Sequence, residues 1–425
     1  MSVSSLLRSD LLRRGAPYLS LMGATLLSIL VVKTFAAPYS PIAMLWFAAC
    51  VVNAGLVKVP WARLLWLNAA SAWVLFGLAE GYFYFQRVRV PVAQEGTMRG
   101  SLMRSDDVLG YAPKAGAVVT DRRRRDGELM WDVVYTIDDH GLRVTPKPDN
   151  PQNPIRCILF FGDSFTFGTG VSDEESMPYR VGVKSAPMLK AFNLGVMGYG
   201  AHQMLAALER DVIQKMVDCD RQLVTQVIYQ AIGHHIPRVA GLVRWDPHGP
   251  RYELDNSGAV IYRGRFDDGL LKLWRSIAIQ ALKSEIFRSF MGIPEHQIGA
   301  SNADDLTLYI AIVARARDLI RSRFPCATFH VLFWDGSAKE SEVILERLSA
   351  LGINVHRMSA ILPDYKGAAD GLTYRIHPQD GHPNALAHEL IATFVVQQIL
   401  PDEPGCDRSI ISREAGPGRR PPTAP

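Results

Sequence analysis

The chain has 425 residues, with 46 Lys and Arg against 42 Asp and Glu and a formal net charge of +4. That length exceeds one small domain, and a composition 48% hydrophobic and 21% charged excludes a disordered acidic or basic chain. So small a charge argues against a dedicated nucleic-acid binder, and five cysteines without a C-x-x-C pair exclude a disulfide scaffold and give a structural zinc site no support.

The averages hide a split. Between Gly15 and Gln86 the only charged residues are Lys33, Lys58, Arg63 and Glu80. A bilayer-spanning helix takes about 20 largely apolar residues. Residues 17–37, 42–57 and 64–85 fit, the second being short, and Pro38, Pro41 and Pro60 fall in the breaks. Three transmembrane helices are expected, with the lipid bilayer as partner. A buried helical bundle is the bland alternative. A cleaved signal peptide fits less well, because two more apolar stretches follow without an A-x-A site. Arg8, Arg13 and Arg14 before the first span, and Lys58 and Arg63 between the second and third, place the N-terminus in the cytoplasm and the rest of the chain outside. Arg87 and Arg89 pull the other way. Glu80 reads as an interfacial charge rather than a functional one.

Residues 91–150 read as a small β-rich lead-in to the soluble region. Residues 131–139, WDVVYTIDD, form a strand pattern followed by the turn HGLR. The run Arg122, Arg123, Arg124, Arg125 reads as a solvated loop, with contact to anionic lipid or acidic polysaccharide as the alternative.

From residue 155 short apolar runs mark strands buried on both faces, at 155–161, 189–194, 222–230, 328–334 and 353–358. Helical patterns at 201–217, 304–323, 340–351 and 384–400 alternate with them, the second capped by Ser301 or Asn302. The expectation is an α/β fold, a doubly wound parallel sheet flanked by helices, over 151–400. Residues 237–298 interrupt the series and read as an insertion over the site. Residues 401–425, rich in Pro, Gly and Arg, read as a disordered tail.

Open α/β sheets bind ligands at the carboxyl ends of their strands. The first strand ends in Phe160-Phe161-Gly162-Asp163-Ser164-Phe165. Gly162 permits a sharp turn, and Ser164 then sits where an activated hydroxyl and its own N–H could meet a developing oxyanion. Alone, Gly-Asp-Ser is equally a turn with a capping serine. The second strand ends in Asn193-Leu194-Gly195-Val196-Met197-Gly198-Tyr199-Gly200, whose glycines admit a ligand close to the backbone or simply pack. The last helix is preceded by Asp380-Gly381-His382-Pro383-Asn384. There Asp380 can hold the His382 imidazole by Nδ1–H and leave Nε2 as base, with Pro383 at the first helical position; the bland reading is a helix cap.

Taken together, these blocks resemble the SGNH (GDSL-type) hydrolase superfamily over about 155–400, and YTIDDHGLR resembles the segment preceding the hydrolase domain in its membrane-anchored bacterial members. The resemblance implies Ser164 as nucleophile, with Asp380 and His382 completing the triad. It makes the Ser164 and Gly198 amides oxyanion donors. Asp163 and Asn193 fall in the family blocks. Phe165 replaces the usual leucine, and one residue rather than two separates Asp380 from His382. The third block, Gly-x-Asn-Asp in the family, reads Gly233-His234-His235 here, which puts His235 in the place of the oxyanion-donating Asn with His234 beside it. An imidazole N–H can donate as an amide does. Arg238 follows at a spacing suited to orienting substrate or a histidine. No metal-ligand spacing or cofactor motif is present.

The resulting expectation is an extracytoplasmic esterase or acyltransferase in a bacterial inner membrane. It would act on O-acetyl groups of a carbohydrate, near envelope polysaccharide machinery. Two rivals stay open. One is a non-catalytic glycan-binding or scaffold module, favoured by the imperfect third block. The other is a lipid-ester hydrolase, to which Trp245, Tyr252, Tyr262, Phe266 and Trp274 would also be suited. His202 and Asp335 could line the pocket, whereas His377 and His388 read as bland. A Cys219–Cys326 disulfide is allowed outside the cytoplasm.

Overall fold

The computed structural model describes residues 17–31, 39–88, 94–147, 156–294, 296–336, 339–365 and 372–401. The expected tail after 401 and the arginines at positions 8, 13 and 14 lie outside them. The chain divides into two compact units, residues 1–92 with 269–300, and residues 93–268 with 301–425.

In the first unit, α1 (Pro17–Val31), α2 (Tyr39–Leu56) and α3 (Pro60–Val88) carry the apolar sequence. Among the described residues two helices, α2 and α3, are long and apolar enough to cross a membrane. The expected first span is a shorter helix in its described part, and residues 32–37 lie outside the described residues. Helices α2 and α3 run antiparallel, with Trp46 and Trp73 stacked at 5.8 Å and Tyr39 edge-on to Phe76 at 6.5 Å. Asn53 Nδ2 donates to Ser20 Oγ at 2.8 Å, and Trp46 Nε1 donates to Ser28 Oγ at 3.2 Å, so polar side chains join α1 to α2 as they do between membrane helices.

Two more helices complete this unit, α4 (Leu270–Ala281) and α5 (Glu285–Met291). Residues 269–300 therefore group with the apolar helices, and only the earlier part of the expected insertion remains with the sheet. Glu80, expected as an interfacial charge, is buried among protein groups. It is 2% exposed and caps α5, accepting from the Glu285 N–H at 2.8 Å and pairing with Ser284 Oγ. A carboxylate suits the unpaired N–H groups of a helix start.

The second unit is built on a five-stranded parallel sheet. Its strands are β1 (Arg156–Phe161), β2 (Leu189–Asn193), β3 (Val224–Ile232), β4 (Thr328–Trp334) and β5 (Asn354–Arg357), in spatial order β2-β1-β3-β4-β5. The strands are apolar on both faces because helices cover both. Leu159, Phe161, Tyr229, Val331 and Phe333 enter one core, while Ile158, Phe160, Ile228, Leu332 and Trp334 enter the other. The chain winds from β1 to β2 and then back across β1 to β3. This places the topological switch point between β1 and β3, where such sheets open a crevice at their carboxyl ends. The long helix Ala303–Arg323 starts at Asn302, whose Oδ1 accepts from Asp304 N at 2.8 Å and Asp305 N at 3.0 Å. Such a cap contributes about 1 kcal/mol. The expected 201–217 helix is two helices, Ala201–Glu209 and Val212–Met216, broken at Asp211 with φ of 54°.

The lead-in forms an antiparallel sheet of Gln94–Arg99, Val118–Arg125 and Glu128–Thr136, with a separate hairpin of Met103–Asp106 and Gly110–Pro113. The four arginines lie in the strand Val118–Arg125, the central strand of that sheet, rather than in a loop, Arg122 pairing with Asp132 and Arg123 with Asp121 across 3.1 Å. Cys219 is bonded to Cys157, with Cα atoms 6.6 Å apart, so the Cys219–Cys326 pairing does not form. Cys157 lies on β1, and Cys219 precedes the adjacent strand β3.

Candidate active site

The turn after β1 needs a residue without a side chain. Gly162 has φ of 153°, and a Cβ there would overlap Thr166 Oγ1 and meet Gln230 O at 3.0 Å. Asp163 then caps the short helix Ser164–Phe167, its Oδ1 accepting from Phe165 N at 3.0 Å. Ser164 opens that helix, so its own N–H has no acceptor within the helix.

His382 Nε2 lies 2.9 Å from Ser164 Oγ, and His382 Nδ1 lies 2.6 Å from Asp380 Oδ1. The Asp380 carboxylate also accepts from the His382 backbone N–H at 2.8 Å. With the ring proton held at Nδ1, the Nε2 lone pair faces the serine hydroxyl, as a general base requires. Burial opposes ionisation of Asp380, but its hydrogen bonds to His382 and the nearby Arg125 hold its pKa below the usual value. The Asp380–Pro383 strand pairs with Arg375–His377, so the two residues sit on a hairpin. Pro383 ends that hairpin, and Asn384, not Pro383, starts the following helix, accepting from Ala387 N at 3.0 Å. Phe165, where the family has leucine, lies 5.5 Å from the His382 ring and edge-on to Trp334 at 5.1 Å.

Gly198 lies in the turn after β2 with φ of 83°, and a Cβ there would stand 2.6 Å from both Trp245 Nε1 and Tyr111 Oη. Trp245 Nε1 donates to Gly198 O at 3.2 Å and Tyr111 Oη donates to Met197 O at 2.9 Å, fixing this turn from two sides. Tyr111 and Trp245 also line an open groove of about 320 Å³, with Arg104, Ser105 and His248 among its other walls; Gly198 and the triad residues are not part of its lining.

Four expected site residues prove to be buried scaffolding. Asn193 donates to Thr166 O at 3.2 Å and accepts from Gly195 N at 3.0 Å, joining the first two strand-end turns. Asp163 is fully buried and pairs with Arg238 Nη1 at 2.8 Å. Burial would raise its pKa, but Arg238 and His235 outweigh this and hold the carboxyl well below the ordinary range. His235 is also fully buried, Nδ1 bonded to Tyr229 Oη and Nε2 3.3 Å from Asp163 Oδ2. Nε2 makes no hydrogen bond among the described residues, and full burial takes the ring away from the oxyanion-donor role expected for it. Desolvation lowers its pKa to about 4, against the pull of Asp163. Arg238 spends Nη1 on Asp163 and on Tyr199 O at 2.6 Å, and its guanidinium lies 5.7 Å from the Trp245 ring centre. It therefore positions the nucleophile block instead of reaching for substrate. His234, in contrast, is exposed at the end of β3.

Sequence reasoning missed Arg143, the last residue of the HGLR turn. Its side chain is buried and donates to Phe167 O and Gly168 O at 2.6 Å and to Val171 O at 2.7 Å, while Nε bonds Asp173 at 2.9 Å. Arg125 is a second contact from the lead-in, donating to Gln379 O beside Asp380 at 2.8 Å. The signal was the resemblance of YTIDDHGLR to a family lead-in. His202 and Asp335 do not line the site. His202 is buried against Asp246 at 2.9 Å, and Asp335 is fully buried and bonded to Ser359. His388 is buried and accepts from Met177 N at 3.1 Å, while His377 Nε2 stands 3.5 Å from Glu128.

Sheet order, switch point and the Ser164–His382–Asp380 chain make an α/β domain with a serine triad at the carboxyl end of its first strand. No family model and no curated protein matches the chain. Among solved structures it is similar to a lipolytic G-D-S-L family protein, so described, from Desulfitobacterium hafniense DCB-2, at 13% identity and TM-score 0.31 over 57% of this chain and 98% of that one. An acetylxylan esterase from Geobacillus stearothermophilus aligns at 14% identity and TM-score 0.31 over 56% and 92%. A phospholipase A1 from Streptomyces albidoflavus NA297 aligns at 12% identity and TM-score 0.30 over 56% and 98%. Likeness at scores this low carries no weight for the chemistry, which rests on the geometry of the site.

Proposed function

We propose that the chain is a membrane-anchored, extracytoplasmic esterase or acyltransferase that forms an acyl-enzyme at Ser164. The observation that carries this is the 2.9 Å approach of His382 Nε2 to Ser164 Oγ, with Asp380 at 2.6 Å behind the ring. His382 takes the serine proton as Oγ attacks an ester carbonyl, then returns it to the leaving alkoxide. The Ser164 and Gly198 amides receive the oxyanion, and His234, exposed at the end of β3 beside the expected His235, is the candidate third donor. Water or a second hydroxyl then takes the acyl group, and His382 repeats its part. An assembled triad speaks against the non-catalytic reading.

The substrate reading is an O-acetylated carbohydrate. Support comes from the groove beside Gly198, where Trp245 is 39% exposed and polar side chains line the walls. An indole beside donors suits a sugar ring. The lipid-ester rival loses part of its aromatic support, since Tyr252 and Phe266 are buried and Trp274 belongs to the other unit. Helices α2 and α3 supply the anchor. The positions of Lys58 and Arg63 favour a cytoplasmic loop there and a catalytic domain outside, near envelope polysaccharide. The test is acetate release by the purified full-length protein from acetylated polysaccharide, with and without unacetylated oligosaccharide. Acetyl transfer to the oligosaccharide identifies a transferase, and release alone an esterase. Neither product, with no turnover of a small acetyl ester, contradicts the enzyme reading.

A further inference from the structure

Helices α4 and α5 expose what a helix packed in a soluble domain hides. Leu270, Leu273, Trp274 and Ile277 follow the i, i+3, i+4, i+7 spacing of one helix face, and all four are exposed, Leu270 by 79% and Trp274 by 68%. On α5 the exposed residues are Phe287, Phe290 and Met291, with Phe290 at 86%. The opposite side is packed, with Arg275, Leu282 and Ile293 buried. A third side of α4 carries Lys272 and Ser276, both exposed. Residues 270–291 contain Lys272, Arg275, Lys283 and Arg288 against Glu285 alone.

The location of this pair along α3 is fixed. Glu80 caps α5, and Tyr39 Oη donates to Gln280 O at the end of α4 at 2.8 Å. From Pro60 to Glu80 the α3 helix rises about 30 Å at ~1.5 Å per residue, which is about the thickness of a bilayer's hydrocarbon core. If the Pro60 end lies at one membrane face, Glu80 and Tyr39 lie at the other. Leu75 and Leu78 of α3, just before Glu80, are exposed as well.

We propose that α4 and α5 form an interfacial helix pair that lies in the lipid headgroup region, at the membrane face opposite Lys58 and Arg63, with Glu80 as its attachment to α3. The occupant of the apolar face is the bilayer. Exposed Lys272 and half-buried Lys283 suit anionic headgroups, whereas Arg275 is buried and Arg288 pairs with Glu285 at 2.6 Å, and the amphipathic pattern with Trp274 matches helices that lie in the interface plane. This rests on α2 and α3 being membrane spans, and it adds that a segment far along the chain returns to the membrane.

The test uses the full-length chain in phosphatidylcholine discs, with and without phosphatidylglycerol, carrying a genetically encoded spin-label side chain at position 274, 276, 290 or 75. Accessibility to oxygen and to a water-soluble nickel complex reports depth. Labels at 274 and 290 are expected about 5–10 Å into the headgroup–acyl boundary. The label at 276 should be water-exposed, and the label at 75, about 7.5 Å along α3 from Glu80, lipid-exposed at about the depth of those at 274 and 290. Nickel access at 274 and 290 equal to that at 276 overturns the proposal. Exclusion of both reagents there overturns it as well, because protein, such as a second copy of the chain, then covers the face. A water-exposed label at 75 removes the span reading along with the proposal, whereas a lipid-exposed one isolates failure to α4 and α5.

Discussion

Arg143, from the lead-in, donates Nη1 to the carbonyl of Gly168, which closes the turn opened by Ser164, at 2.6 Å. The same guanidinium stacks 4.8 Å over Tyr135 and 4.9 Å over Phe167. The lead-in is thus a structural part of the nucleophile turn. Arg143→Ala should cost about 3–5 kcal/mol, because it strips a buried charge pair with Asp173 and three carbonyl contacts. Arg143→Lys keeps the charge but lacks the planar fork. It should fold with lowered kcat and little change in KM. Urea unfolding and steady-state kinetics check both; wild-type kcat in the folded Lys variant would contradict the clamp.

Asp163 and Arg238 form a buried pair beneath the nucleophile. Asp163→Asn leaves Arg238 unmatched and should destabilise by about 3–5 kcal/mol, whereas D163N combined with R238M should recover part of the loss. A double-mutant cycle by denaturant unfolding measures the coupling. Additive single losses would mean that the two side chains act independently.

Acid should unfold the protein in two stages. Burial lowers His235 and His330 to about 4 and His388 to about 3, below the unfolded value of about 6.5. A depressed histidine contributes stability that is present above pH ~6.5 and is lost as pH falls toward the folded value. Each contributes a slope of about 1.4 kcal/mol per pH unit inside that window. Asp163, also depressed, contributes above its unfolded value of about 3.9 and loses this only at lower pH. Unfolding free energies between pH 7 and 4 test this, and His388→Gln should flatten the slope by about one third. A flat profile would show that these histidines protonate without opposition.

Trp245→Ala should separate binding from chemistry. Loss of the indole removes one groove wall and the bond to Gly198 O. The KM for acetylated polysaccharide should rise about tenfold or more, the size of one lost aromatic contact. Turnover of p-nitrophenyl acetate should fall less. Equal losses on both substrates would assign Trp245 to support of the Gly198 turn alone.

The sheet was legible because strands buried on both faces are continuous apolar runs. All five expected runs contain the core of an observed strand. Ser164, Asp380 and His382 were legible because chemistry needs those residue types at strand ends. Their neighbours were not. Exposed His234 and buried His235 are adjacent, and only the exit of β3 decides which of the two reaches the surface. Arg143 was invisible as a clamp because its partners are backbone carbonyls, which sequence cannot display. Residues 237–298 read as one insertion over the site because the amphipathic pattern in their later part names an apolar face without naming what covers it. The Cys157–Cys219 bond depends on strand adjacency, which composition does not carry.

The most direct measurement is the pre-steady-state reaction of the full-length protein with p-nitrophenyl acetate, wild type beside Ser164→Ala, with the acylated peptide located by mass spectrometry. A nucleophilic Ser164 predicts a stoichiometric burst and an acetyl group on the Ser164 peptide in wild type. The variant should show neither burst nor adduct and should remain folded. A burst of equal size in Ser164→Ala, or an adduct on another residue alone, would contradict that assignment.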